Sequence, residues 1–155
     1  MKILVATDGS DFSRQAIEKG CDTLGSGDGN RIKIISVFEP VAYSGNEPFA
    51  VSAEYIHEME RIGREQATRF ASEAEDTVRG RFSDSNVQVA TKIIKGSPGR
   101  AIVEEADAWG ADLIIMGSHG YGFWGRAFLG STSDKVIHHA PCSVLIVREK
   151  TDAKS

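Results

Sequence analysis

Gly117-Ser118-His119-Gly120 and, after a nine-residue spacer, Gly130-Ser131 are the residues whose types and spacing best suit chemistry in this chain. They follow its most apolar run, Leu113-Ile114-Ile115-Met116, and lead into Ser131-Thr132-Ser133-Asp134, where a helical pattern starts. Glycine lets the main chain approach a ligand closely, and the first N–H groups of a helix have no partner within it. A strand, a glycine loop and a helix start, in that order, make a cradle for the phosphates of a nucleotide. Ser131 and Thr132 would add hydroxyl and backbone donors. The same residues also read as an ordinary turn, with Ser131 as the N-cap and Asp134 favouring the first turn. Spacing alone leaves both readings open.

Other candidates weigh less. Asp8 ends the first apolar run and has acceptor oxygens for ribose hydroxyls, yet an Asp before Gly9 is as much a turn residue. His119 could act as a general acid or base beside phosphates. No second titratable group is spaced to orient it, which favours a plain surface-loop histidine. Arg126, inside the spacer, is within reach of a terminal phosphate but reads first as a solvated surface residue. Gly96-Ser97-Pro98-Gly99 imitates a phosphate loop without the Lys-Ser/Thr pair of a Walker motif. Ser97 as N-cap with Pro98 at the first helical position accounts for it without a ligand. His138 and His139 suit the end of a helix, and adjacent helical residues do not share a face for a metal.

These residues need elements to position them. Ile3 to Ala6 reads as a buried strand, and a helix follows from Ser10 to Leu24 on the spacing of Ala16, Ile17, Gly20, Cys21 and Leu24. Ile32 to Phe38 gives a second strand and Glu39-Pro40 ends it. Val41 to Ala53 holds no period and reads as a surface loop. The longest helix is expected over Glu54 to Arg81, with Tyr55, Met59, Ile62, Gln66, Phe70, Ala74 and Val78 as its core stripe. Val87 to Ile94 makes a third strand, and the helix begun at Ser97 stops at Gly110. Asp112 to Met116 makes an interior fourth strand, apolar on both sides. Val136 and Ile137 face inward from the next helix, Pro141 ends it, and Ser143 to Val147 is the last strand. Strands alternating with helices predict a parallel sheet covered on both faces, with the ligand crevice at the carboxyl ends of its strands.

Composition narrows the class. A length of 155 residues suits one domain, and a net charge of −4 argues against a general binder of nucleic acid or anionic membrane. Cys21 and Cys142 lack metal-type spacing and read as thiols in a reducing compartment. The opening Met1-Lys2-Ile3-Leu4-Val5-Ala6 is too short for a secretory signal, and no apolar run approaches a membrane span. A soluble, cytoplasmic protein is expected.

Three stretches of the second half carry a resemblance. They are Asp112-Leu113-Ile114-Ile115-Met116-Gly117-Ser118-His119-Gly120, Leu129-Gly130-Ser131, and His139-Ala140-Pro141-Cys142-Ser143-Val144-Leu145-Ile146-Val147. With the opening Ile3-Leu4-Val5-Ala6-Thr7-Asp8-Gly9-Ser10, they resemble the universal stress protein (UspA-like) family over nearly the whole chain, the Val41 to Ala53 loop excepted. The pattern Gly-x2-Gly-x9-Gly-Ser/Thr marks that family's ATP-binding branch and is complete here in Gly117, Gly120, Gly130 and Ser131. Some relatives lack it and do not hold ATP.

The resemblance implies an α/β fold: a single doubly wound domain over residues 1–149, then a polar tail over 150–155. Its five-stranded parallel sheet would run in the order 3-2-1-4-5, with four helices on its two faces. By position Asp8 would take the ribose, and Ala6, Thr7, Val37 and Met116 the adenine. Gly117, Gly120, Gly130, Ser131, Thr132 and Ser133 would hold the phosphates, with His119 in the same loop. The implied cofactors are ATP and a Mg2+ carried on its phosphates, since no acidic cluster offers a separate cage. The implied assembly is a homodimer through antiparallel pairing of Ser143 to Val147, an apolar edge otherwise prone to association. Tyr121, Phe123 and Trp124 would form a lid over the nucleotide or a surface for a protein partner.

The expected function is an ATP-dependent regulator in stress or signalling rather than an enzyme. No Walker lysine and no water-positioning Gln or Glu stands beside the loop, so hydrolysis should be weak. The alternatives are a slow ATPase using the same pocket and a dimeric interaction module independent of nucleotide.

Overall fold

The computed structural model describes residues 1–41, 52–120 and 129–148. Strands and helices alternate as β1 (Lys2–Ala6), α1 (Asp11–Leu24), β2 (Arg31–Phe38), α2 (Ala53–Arg81), β3 (Gln88–Lys95), α3 (Pro98–Trp109), β4 (Leu113–Gly117), α4 (Ser131–His139) and β5 (Ser143–Val147). All strand pairs are parallel, in the order β3-β2-β1-β4-β5. The expected fold is the one observed, with element ends shifted by a residue or two.

Two cores follow from the alternation of side chains along each strand. Ile3 and Val5 of β1, Ile32 and Ile34 of β2 and Ile115 of β4 pack under α1 and α2. Leu4 and Ala6, Ile35, and Ile114 and Met116 point the other way, under α3 and α4. The interior strands are apolar on both faces because both faces are covered. On the α3 side the buried Glu105 accepts from Lys33 at 2.8 Å and from Lys92. Burial raises its carboxyl, and the two lysines more than reverse that, holding it below the usual carboxylate range. Both cysteines are free thiols, and burial pushes each pKa up.

The stripe expected on α2 holds at Ala74 and Val78 and is corrected elsewhere. Ala67, Ala71, Ala74 and Val78 are its buried residues, while Tyr55, Ile62 and Gln66 are exposed. Small side chains let the helix lie close to the sheet. A Cβ added at Gly63 would come within 3.1 Å of the Phe38 ring. Tyr55 and Ile62 are thereby turned out of the contact, while Met59 and Phe70 are half-buried. Ala71→Leu is expected to cost about 1–3 kcal/mol by overpacking, whereas Tyr55→Ser changes stability by no more than about 0.5 kcal/mol. Urea titration of the two variants checks the contrast. A second correction concerns α4: Val136 is buried, but Ile137 is 42% exposed and does not face the core.

Candidate functional site

The strand order reverses between β1 and β4, so the chain leaves their carboxyl ends toward opposite faces and a crevice opens between them. A cavity of about 370 Å³ lies there. Ala6, Thr7 and Asp8 form its β1 wall and Val37 stands on the β2 side. Met116, Gly117, His119 and Gly120 continue from β4, and Gly130, Ser131, Thr132 and Ser133 close it from the start of α4. The twelve residues that the resemblance assigns to the nucleotide therefore all line one cavity.

Asp8 is both a turn residue and a cavity residue. Its Oδ1 accepts from the Ser10 N–H at 3.0 Å and from the Ser10 hydroxyl at 2.6 Å. A Cβ placed on Gly120 would come 2.5 Å from Oδ2, so the second oxygen faces the loop after β4. Beneath it, Thr7 Oγ1 accepts from the Gly9 N–H at 3.2 Å and donates to Ser13 Oγ at 3.2 Å. Ser10 also caps α1, its hydroxyl accepting from the Ser13 N–H at 3.3 Å. Ser10→Ala should lower stability by about 1 kcal/mol, most of which Ser10→Thr should keep, as read by denaturant titration.

The glycine loop is tied at both ends. The Ser118 N–H donates to the Val147 carbonyl at 3.0 Å, and the Ser118 carbonyl accepts from the Gly130 N–H at 2.9 Å. Ser133 Oγ, buried, lies 2.8 Å from the Ser118 carbonyl oxygen and 2.9 Å from that of Gly130. These contacts hold β4 and the start of α4 in one frame.

The N-cap of α4 is Gly130, not Ser131, which is the first helical residue. No side chain caps this helix, because its N-cap residue is a glycine, and the Ser133 hydroxyl within the first turn is turned to the two carbonyls. α3 likewise starts at Ser97 without a side-chain cap bond. By contrast, Ser10 and Ser52 cap α1 and α2. Both helices lacking a side-chain cap reach the cavity with their first turns, α3 through Pro98 and α4 through Ser131 to Ser133, while the capped α1 reaches it through Ser13. Backbone donors left open at a helix start, with the dipole behind them, suit an anion.

His119 is not a plain surface residue. The residue lines the cavity, its Nδ1 lies 2.9 Å from Ser118 Oγ, and its ring centroid is 5.2 Å from that of Phe12. Sequence reasoning also missed Ser13, Ile35, Glu39, Pro98 and Ile102, which line the same cavity. The Gly96-Ser97-Pro98-Gly99 stretch carried the signal for Pro98, but cap chemistry explained it without a ligand. Tyr121, Phe123, Trp124 and Arg126, the Val41 to Ala53 loop beyond its ends, and the tail after Arg148 lie outside the described residues. No cluster of metal-ligating side chains occurs among the described residues. No described helix is long and apolar enough to cross a membrane.

Comparison with known proteins fits this geometry. The universal stress protein family matches residues 1–148. The chain belongs to that family. A universal stress protein of Thermus aquaticus is 33% identical over 148 residues, which cover 94% of this chain and 97% of its own length. The structure of UspA from Lactobacillus plantarum superposes with a TM-score of 0.68 at 25% identity, covering 96% of this chain and 97% of that one. A family protein from Arabidopsis thaliana, solved with AMP bound, has a TM-score of 0.67 at 17% identity, covering 100% of this chain and 95% of that one. At that identity the last comparison speaks for the fold alone.

Proposed function

We propose that this universal stress protein is an ATP-binding regulator that acts in the cytoplasm as a homodimer and senses nucleotide rather than turning it over. The observation that carries the reading is the polarity of the cavity. Its proposed nucleoside end is lined by the acidic residues Asp8 and Glu39 and by the apolar Val37 and Met116. Its other end has Gly117, Gly120 and the start of α4, where no side chain competes for the backbone donors. A nucleotide with its ribose at Asp8 and its phosphates at α4 satisfies both ends. Mg2+ would be held through the phosphates, since the described residues offer no ligand cluster of their own. The AMP in the Arabidopsis neighbour supports a nucleotide in this fold.

The dimer is proposed through β5, which is an edge of the sheet with partly exposed apolar side chains. The aromatic spacer residues Tyr121, Phe123 and Trp124 are proposed as a lid or partner surface. The test is ultraviolet spectroscopy and mass spectrometry of any copurifying small molecule, with thermal melting in MgATP. A ligand present at about 100 times its Kd stabilises by about 2.7 kcal/mol. A domain of this size should then melt roughly 5–10 °C higher. No copurifying nucleotide and no shift in millimolar MgATP would overturn the reading.

A further inference from the structure

A nucleoside triphosphate in the proposed orientation brings several negative charges into a cavity whose titratable lining groups, among the described residues, are Asp8, Glu39 and His119. None of these is a permanent cation, and a helix start supplies only partial positive charge. Several described cations are already engaged: Arg14 with Asp11, Lys33 with Glu105, Lys95 with Glu60 and Arg100 with Glu104. Lys135 has no ion pair with any described residue.

Its placement is defined by a glycine. Lys135 lies on α4 about one turn beyond Ser131 and Thr132, and helical side chains lean back toward the helix N-terminus. Its stem rests on Gly99, the second residue of α3. A Cβ added there would come 3.0 Å from Lys135 Cδ, 3.1 Å from its Cβ and 3.3 Å from its Cγ. Gly99 is buried and adjoins Pro98, which lines the cavity. The absent side chain at Gly99 therefore leaves a track between the starts of α3 and α4, and the lysine stem occupies it. Both helix starts border the cavity, so the stem lies beside its proposed phosphate end, with Lys135 just outside the residues that line it.

We propose that Lys135 is a specificity residue for the length of the phosphate chain, its ammonium pairing with the outer phosphates of a nucleoside triphosphate and not with a monophosphate. The proposal rests on the nucleotide reading above and names which nucleotide the site favours. It is tested by calorimetric titration of the full chain with AMP, ADP and ATP at fixed Mg2+ and ionic strength. Wild type, Lys135→Gln and Lys135→Arg are compared. Lys135→Gln should weaken ATP by about tenfold or more while AMP changes by no more than about twofold, and Lys135→Arg should recover most of the ATP affinity. The melting temperature of the unliganded variant should match wild type, because the side chain is exposed. Parallel loss of AMP and ATP, or unchanged ATP affinity, overturns the role of the lysine while wild-type binding still upholds the nucleotide site. A wild-type protein that binds none of the three overturns the nucleotide reading, and this proposal with it.

Discussion

Gly120→Val is expected to raise the Kd for ATP at least about a hundredfold, equivalent to about 2.7 kcal/mol, while leaving the protein folded. The atom that a new Cβ meets is Asp8 Oδ2, at 2.5 Å. That oxygen ends a short side chain that can rotate, so the backbone has no cause to unfold. Rotation, however, takes Asp8 away from its Ser10 partners and out of its line to the cavity. Binding loses the acceptor proposed for the ribose, where a hydrogen bond to a charged group contributes about 1.5–3 kcal/mol. The valine also occupies space on the cavity wall, at a further cost of about 1–3 kcal/mol. Isothermal calorimetry with MgATP measures the loss, and a thermal melt without ligand shows the fold intact. Unchanged ATP affinity would remove the Asp8–Gly120 pair from the binding site.

Gly117→Ala should instead damage the fold itself. A Cβ at this position would lie 2.7 Å from the carbonyl carbon of Phe12 and 2.8 Å from its oxygen. These are main-chain atoms in the first turn of α1 and have no rotamer to escape through. Farther along α1, a Cβ at Gly20 would come 2.8 Å from Ile115 Cδ1. Two glycines, one on β4 and one on α1, thus set how closely that helix lies on that strand. Pushing them apart opens the core around Ile17 and Ile115. The cost should be about 3 kcal/mol, and a domain of this size loses roughly 2–4 °C of melting temperature per kcal/mol. Gly80→Ala is the control: nothing lies within 4 Å of its added Cβ, and its melting temperature should not fall. Equal behaviour of the two variants would contradict the packing described for α1 and β4.

The elements were legible because their signals are local. Ile3 to Ala6, Ile32 to Phe38 and Leu113 to Met116 are apolar runs of strand length bounded by turn residues. The facing of α2 was not legible, because Tyr55, Met59, Ile62 and Phe70 form a stripe as regular as the true one. Ala67 and Ala71 join the expected Ala74 and Val78 since the helix gains more from close approach to β2 and β3 than from burying larger groups at a distance. Ile137 was misplaced for a related reason. Val136 and Ile137 are adjacent on a helix, and only one of them can point at the sheet.

At the site, residue types and spacing marked Gly117, Gly120, Gly130 and Ser131 as a loop fit for an anion but left it level with a capped turn. The structure decides the cap: it is Gly130 and not Ser131, and the Ser133 hydroxyl ties the start of the helix to the Ser118 carbonyl. Such a choice depends on where Ser118 lies in space, which no local pattern records.

By itself the sequence determined the alternation of strands and helices, the parallel sheet and the chemical character of the loop, because periodicity, turn residues and glycine act over a few neighbours. Tertiary structure alone placed the carboxylate of Asp8 against Gly120, turned the first turn of α3 into a wall of the cavity and laid Lys135 along Gly99. Each of these joins residues far apart in the chain. They meet only once the strands have taken their order, and that order is set by burying two apolar faces at the same time.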